Sequence, residues 1–235
     1  IAKAYKTGRC ALLTDSENES IFSPVCGMTV AAEDENGQIA AARGSLKDFA
    51  DLLASEEVVK FGYDLKYQRD VIMNNGFKLE GKFMDIELMH YLINPEKSHK
   101  IDILAKTYLD INIDDLKQKQ DSRTEELSLF DEVPDDDKTE DRYPEAAVTL
   151  LLGIKVEEEL KSLELDGLYG KMEEPLLKVL SDMEKEGVKI DTAQLRRYAS
   201  SLSVEMNSIQ DKIREMAEEP DLNIMSPKQI GVVLY

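Results

Sequence analysis

Tryptophan is absent from this chain of 235 residues, and it holds only two cysteines and two histidines. Cys10 and Cys26 form neither a Cys-x-x-Cys pair nor a Cys/His pattern. No disulfide framework or zinc site is signalled, and a reducing, cytoplasmic setting is expected. His90 and His99 have no partner at metal-ligand spacing; His90 is expected on a helix surface or in packing, His99 in a loop. No run approaches the roughly twenty apolar residues of a membrane span, so no membrane partner is expected and a monomer is. Basic residues are scarce, 29 against 48 acidic, for a net charge of −19. That balance argues against a chain-wide electrostatic footprint for nucleic acid; any contact with DNA must be local. Gly62, Gly76 and Gly81 form no phosphate-cradling run, so they read as turn residues.

What is present is a 42% apolar chain with clear periodicities. "CALLT", "CGMTVAAE" and "GQIAAA" read as strands, the last two joined by an Asn36-Gly37 hairpin turn. "SLKDFADLLAS" has helical spacing after a Ser cap, and "EVVKFGY" reads as a buried strand. "DLKYQRDVIMNNG" is a helix ended by Asn-Gly, "KFMD" a short strand, and "DIELMHYLI" and "IDILAKTYL" are helices. Strands and helices in alternation after an antiparallel hairpin describe a mixed α/β architecture. Residues 114–141, with "EVPDDDKTED", read as a mobile acidic loop. "EAAVTLLLGIKVEEELKSL" is the next helix, and the domain boundary is placed at 165/166. Beyond it lie a helix capped by Gly187 and a long one carrying an apolar stripe from Leu195 to Met216. The start at Ile1 without Met, and a well-capped helix at "SPKQIGVVLY", suggest a piece of something longer.

"MEEPLLKVLSDMEKEGVKID" followed by "LNIMSPKQIGVVL" resembles the segment of the bacterial polymerase I type of A-family DNA polymerases that joins the proofreading domain to the base of the thumb. "KFGYDLKYQRDVIMNNGFKLEGKFMDIELMHYLINP" and "RYPEAAVTLLL" are similar to that family's 3′-5′ exonuclease domain. The resemblance implies an RNase H-like exonuclease fold over residues 1–165 and the first helices of a polymerase domain over 166–235. It also implies a phosphodiester hydrolysis that uses two divalent metals, about 4 Å apart, held by carboxylates from three motifs.

Each motif can be located. The second normally reads Leu-Lys-Tyr-Asp; here it is "LKYQ", with Gln68 in the acidic position. The third puts Asp141 at the family's Tyr position and Glu145 at its Asp position, with Tyr143 out of register. For the first, a gap-free count from "GMTV" places Leu12 and Thr14 at the family's Asp-x-Glu, whereas a count from the apolar strand places Asp15 and Glu17 there. A neutral amide offers an oxygen without a charge, so the second metal should be held weakly.

The expectation is a fragment of a DNA-directed DNA polymerase in which the exonuclease-like part is inactive and structural, with no catalytic and no metal-binding residue. Mg²⁺ belongs to the whole polymerase. One alternative is an active nuclease built on Asp15, Glu17, Asp64 and Glu145, near Asp85; another is an interaction module acting through the acidic loop. Primer-template DNA is the expected partner of the whole polymerase, touched here at Asn223, Ser226 and Lys228, where a helix N-terminus suits phosphate.

Overall fold

Side-chain alternation along the first strand sets the architecture. In β1 (Arg9–Ser16), Cys10 and Leu12 face one side and Ala11 and Leu13 the other, and all four are buried, so β1 must be central. The computed structural model describes residues 1–113, 115 and 142–234. The acidic loop expected over 114–141 lies outside them, apart from Asp115.

A short helix α1 (Ala2–Thr7) ends at Gly8 and feeds β1, which pairs antiparallel with β2 (Val25–Glu33). β2 turns into β3 (Ile39–Gly44) through the Asn-Gly hairpin, where Asp34 Oδ1 accepts from the backbone of Asn36 and Gln38. A 3₁₀ turn at Leu46–Phe49 leads into α2 (Ala50–Ala54). β4 (Val59–Gly62) then runs parallel to β1, followed by α3 (Leu65–Asn74), β5 (Phe83–Asp85), α4 (Ile86–Ile93) and α5 (Ile101–Leu109). The sheet order is β3-β2-β1-β4-β5, with an antiparallel half and a parallel half.

Helices cover both faces. Cys10, Leu12, Met28 and Val30 pack with Leu52, Leu65 and Ile72 on one side. Ala11, Leu13 and Phe61 pack with Met89, Leu104, Leu150 and Val156 on the other, beneath α6 (Tyr143–Ser162). Gly153 lets α6 approach: a Cβ there would stand 2.5 Å from Phe61 Cδ1. The mixed α/β expectation holds, since parallel pairs need helical crossovers and an antiparallel hairpin does not.

After α6 come α7 (Asp166–Leu168), a π-helical turn over Tyr169–Glu173 and α8 (Glu174–Glu186). Two compact units divide at Glu186/Gly187 rather than at the 165/166 position where the sequence changes resemblance. Side chains explain why α8 stays with the first unit. Arg69 of α3 reaches Ser181 and holds Asp182 at 2.8 Å, Ser181 in turn donates to Asp70, and Lys66 pairs with Glu184 at 2.6 Å. Buried Tyr169 adds a joint, accepting from Asp85 N–H at 2.8 Å and donating to Phe83 O. In the second unit, α9 (Thr192–Ala217) starts at the Asp191 cap and leaves Leu195, Tyr198, Leu202 and Met206 exposed; α10 (Pro227–Leu234) follows.

Candidate functional site

The C-terminal end of β1 is where the candidate residues gather, and the parity of the strand sorts them. Leu12 and Thr14 point toward α3, while Leu13 and Asp15 point toward α6. Leu12 is fully buried among Met28 and Leu65 and offers no ligand atom. Thr14 Oγ1 is buried without a hydrogen-bond partner among the described residues. Leu65, Gln68 and Ile72 share the core face of α3. Gln68 is 4% exposed; its Nε2 donates to Tyr63 O at 2.9 Å, and its Oε1 is a second buried oxygen without a hydrogen-bond partner among the described residues.

Asp15 is opposite Gly27 in the ladder, just before a bulge. It meets two guanidinium groups: Arg43 Nη1 at 2.5 Å on Oδ2 and Arg142 Nη1 at 2.6 Å on Oδ1. Arg142 Nε also bonds Glu145 Oε2 at 2.5 Å, so one guanidinium joins a strand carboxylate to a carboxylate in the first turn of α6. Burial works against the charge of Arg142, but Asp15 and Glu145 outweigh it and hold its pKa above the ordinary arginine value.

The remaining acids do not join. Glu17 is exposed beyond the strand. Asp64 is the N-cap of α3, held in a left-handed conformation with its Oδ1 accepting from Tyr67 N–H. It is exposed, so Asp64 does not join Asp15 and Glu145 as the alternative nuclease set expects: the cap turns it outward. Asp85 is buried as the N-cap of α4, accepting from Leu65 N–H at 2.6 Å and Leu88 N–H at 3.1 Å. Burial pushes its pKa up to about 6 despite those two donors. Asp141 lies outside the described residues.

Hard divalent ions want several oxygen ligands of high charge. Here the motif positions offer a hydrocarbon, a hydroxyl, an amide and one carboxylate already joined to arginine. Among the described residues no group of three His, Cys, Asp or Glu side chains is arranged to hold a metal ion. This donor set does not fit a two-metal centre.

The structure brings together two pairs that spacing did not reveal. Arg43 and Arg142 are the first; the only advance signal was an Arg three residues before Glu145, the spacing of helical neighbours. The second pair is His90 and His99, whose Nδ1 atoms lie 2.7 Å apart. His90 is a buried packing residue of α4 and His99 lies in the connection, as expected from the sequence; their contact arises because the 94–100 connection folds back over α4. Tyr108 stacks edge-on against His90 at 5.9 Å, and burial together with His99 lowers the His90 pKa while Glu159 opposes them.

In the second unit, Asn223 Oδ1 accepts from Met225 N–H and Ser226 Oγ accepts from Gln229 N–H. Gln229 Oε1 reaches Asn223 N–H at 2.8 Å rather than the Ser226 N–H of an ordinary capping box. Lys228 is exposed, with no ion pair among the described residues.

A mixed sheet in the order 3-2-1-4-5, with helices on both faces and with Asp15 and Glu145 linked through Arg142 at the end of its first strand, defines an RNase H-like exonuclease fold. A 3′-5′ exonuclease profile matches residues 7–134, and the chain belongs to that family. It is 29% identical over 200 residues to DNA polymerase I of Synechocystis, covering 82% of this chain and 19% of that protein. It is 30% identical over 188 residues to DNA polymerase I of Bacillus subtilis, covering 80% and 21%. The chain thus spans about a fifth of the length of these relatives. Among solved structures, the POL domain of Pol1 from M. smegmatis, in complex with DNA primer-template and dNTP, superposes with a TM-score of 0.68 at 20% identity over 96% of this chain and 36% of that one. NrnC of Brucella melitensis with bound Mg²⁺ gives 0.55 at 13% identity over 76% and 84%. Both likenesses concern the fold. Among the described residues, no helix is long and apolar enough to cross a membrane.

Proposed function

We propose that this chain is a segment of a DNA polymerase I, acting in DNA replication and repair, whose exonuclease-like unit is a non-catalytic support. Nucleotidyl transfer then belongs to other regions of the polymerase. The observation that carries this reading is the ion-pair chain Arg43–Asp15–Arg142–Glu145, which engages the surviving carboxylates with guanidinium groups. Two-metal hydrolysis needs those oxygens for cations that hold the nucleophile and the leaving oxygen. The neutral Gln68 in the second motif supports the same reading.

Mg²⁺ is assigned to the polymerase as a whole and not to this unit. Primer-template DNA is the proposed partner, with Lys228 as the phosphate contact. Ser226 and Asn223 shape the turn that presents it, since both are engaged in the cap. The acidic segment supports no separate proposal, because it lies outside the described residues.

The test is a 3′-labelled single-stranded oligonucleotide incubated with the chain in Mg²⁺, Mn²⁺ or EDTA, beside Glu145→Ala. No shortening is expected. Metal-dependent shortening that is lost in the variant would establish the alternative nuclease built around Asp15 and Glu145.

A further inference from the structure

We propose that Arg142 acts as a built-in cation: its guanidinium bridges Asp15 and Glu145 as a divalent ion would, clamping the start of α6 to the end of β1 without metal. The inference deepens the non-catalytic reading above and has its own readout. A silent oligonucleotide assay leaves it open to failure in the experiment below.

Three features argue for a built clamp. The two carboxylates come from elements far apart in sequence, and they meet on neighbouring nitrogens of one guanidinium at 2.6 and 2.5 Å. The planar fork presents separate N–H donors to the two acids in fixed directions, which the point charge of a lysine does not. Second, Arg43 adds a further guanidinium on Asp15, so that the strand carboxylate is held from both sides. Arg43 starts on β3 and reaches β1 by crossing β2 over Gly27, where a Cβ would stand 2.9 Å from its Nη2. The absent side chain at Gly27 is therefore part of the arrangement. Third, the acids are sheltered, with side chains 17% exposed at Asp15 and 14% at Glu145, so salt screens the pairs less than at an open surface.

A cation and a guanidinium compete for the same oxygens. A divalent ion entering the intact site would have to displace Arg142 and leave it unpaired, whereas removing Arg142 leaves two acids without their shared counter-charge. The clamp thus makes opposite predictions for the wild type and the variant.

The experiment is thermal unfolding of the full 235-residue chain in EDTA and in millimolar MnCl₂, with folding checked by circular dichroism. Wild type should unfold at the same temperature in both. Arg142→Ala should unfold about 5 °C lower in EDTA, and Mn²⁺ should restore at least half of that loss. Arg142→Ala combined with Glu145→Gln should show no restoration. Should Arg142→Ala not fold, Arg142→Lys is used, a single point charge expected to retain part of the stability and to gain nothing from Mn²⁺. Three outcomes overturn the proposal: a Mn²⁺-induced rise in wild type that Glu145→Gln abolishes, an unchanged midpoint in Arg142→Ala or Arg142→Lys, or a fall in Arg142→Ala that Mn²⁺ does not reverse.

Discussion

On the α6 side of β1, Asp15 is held by two guanidinium groups; on the α3 side, Thr14 and Gln68 bury neutral oxygens that have no hydrogen-bond partner among the described residues. Both sides lie near the C-terminal end of β1, and they meet one physical problem in different ways. An acid that stays in a sheltered place needs a permanent counter-charge. Where the acid is replaced by an amide, the charge disappears, and what remains is a smaller cost for incomplete hydrogen bonding. One side therefore depends on its partners and the other does not.

That contrast can be broken most forcefully at Asp15. Asp15→Ala leaves Arg43 without its acid and Arg142 with only Glu145, and it should destabilise the chain by about 2–3 kcal/mol in urea unfolding; a loss under about 0.5 kcal/mol would mean that the pairs behave like exposed surface bridges. Lys60 offers a second buried charge, satisfied by backbone carbonyls rather than an acid: its Nζ donates to Ser55 O and to Glu80 O at 2.6 Å. Burial drags its pKa down to about 8. Its folded value lies below its unfolded one, so the unfolded chain binds more protons, and this group adds stability as pH rises from about 8 toward 10.5. Buried Cys10, whose thiol is pushed up to about 12, has the opposite slope above 9, so the effect of Lys60 is read as a difference: the stability of wild type relative to Lys60→Met should rise by about 2 kcal/mol across that window in urea unfolding.

Asp85 and His90 sharpen the comparison, because their pH dependences oppose. The raised pKa of Asp85, about 6, gives stability that is present in acid and lost as pH climbs through 6. The lowered pKa of His90, which faces His99 and Lys97 from the connection, Tyr108 from α5 and Glu159 from α6, gives stability that is lost as pH falls below the ordinary histidine range. Asp85→Asn removes the acid-side gain that Asp85 supplies, so stability should fall more steeply with acid than in the wild type. The smallest effect is expected at Gln68. Gln68→Leu exchanges one hydrogen bond and one unpaired oxygen for apolar contact, and should change stability by less than about 1 kcal/mol in the same unfolding assay.

Much of the fold was legible in the sequence because it rests on local rules. Apolar runs marked β1 and β2, Asn36-Gly37 marked the hairpin, and the apolar stripe from Leu195 to Met216 marked α9. The attachment of α8 to α3 was not legible, since it depends on Arg69 reaching Ser181 and Asp182 more than a hundred residues away. At the site, the sequence displayed the neutral Gln68 and the acidic Glu145. It could not expose Arg43, a residue in an alanine-rich strand whose importance comes from crossing Gly27 to another strand. Asp64 misled for a physical reason: spacing put it one turn before Gln68, but an N-cap lies outside the helical conformation and points elsewhere.

The most direct measurement is anomalous diffraction from crystals of this chain soaked in Mn²⁺. The account predicts no manganese peak among Asp15, Glu145 and Gln68, with Arg142 still bridging the two acids. Two peaks about 4 Å apart, with Arg142 displaced, would contradict it and return a two-metal nuclease site to this end of the sheet.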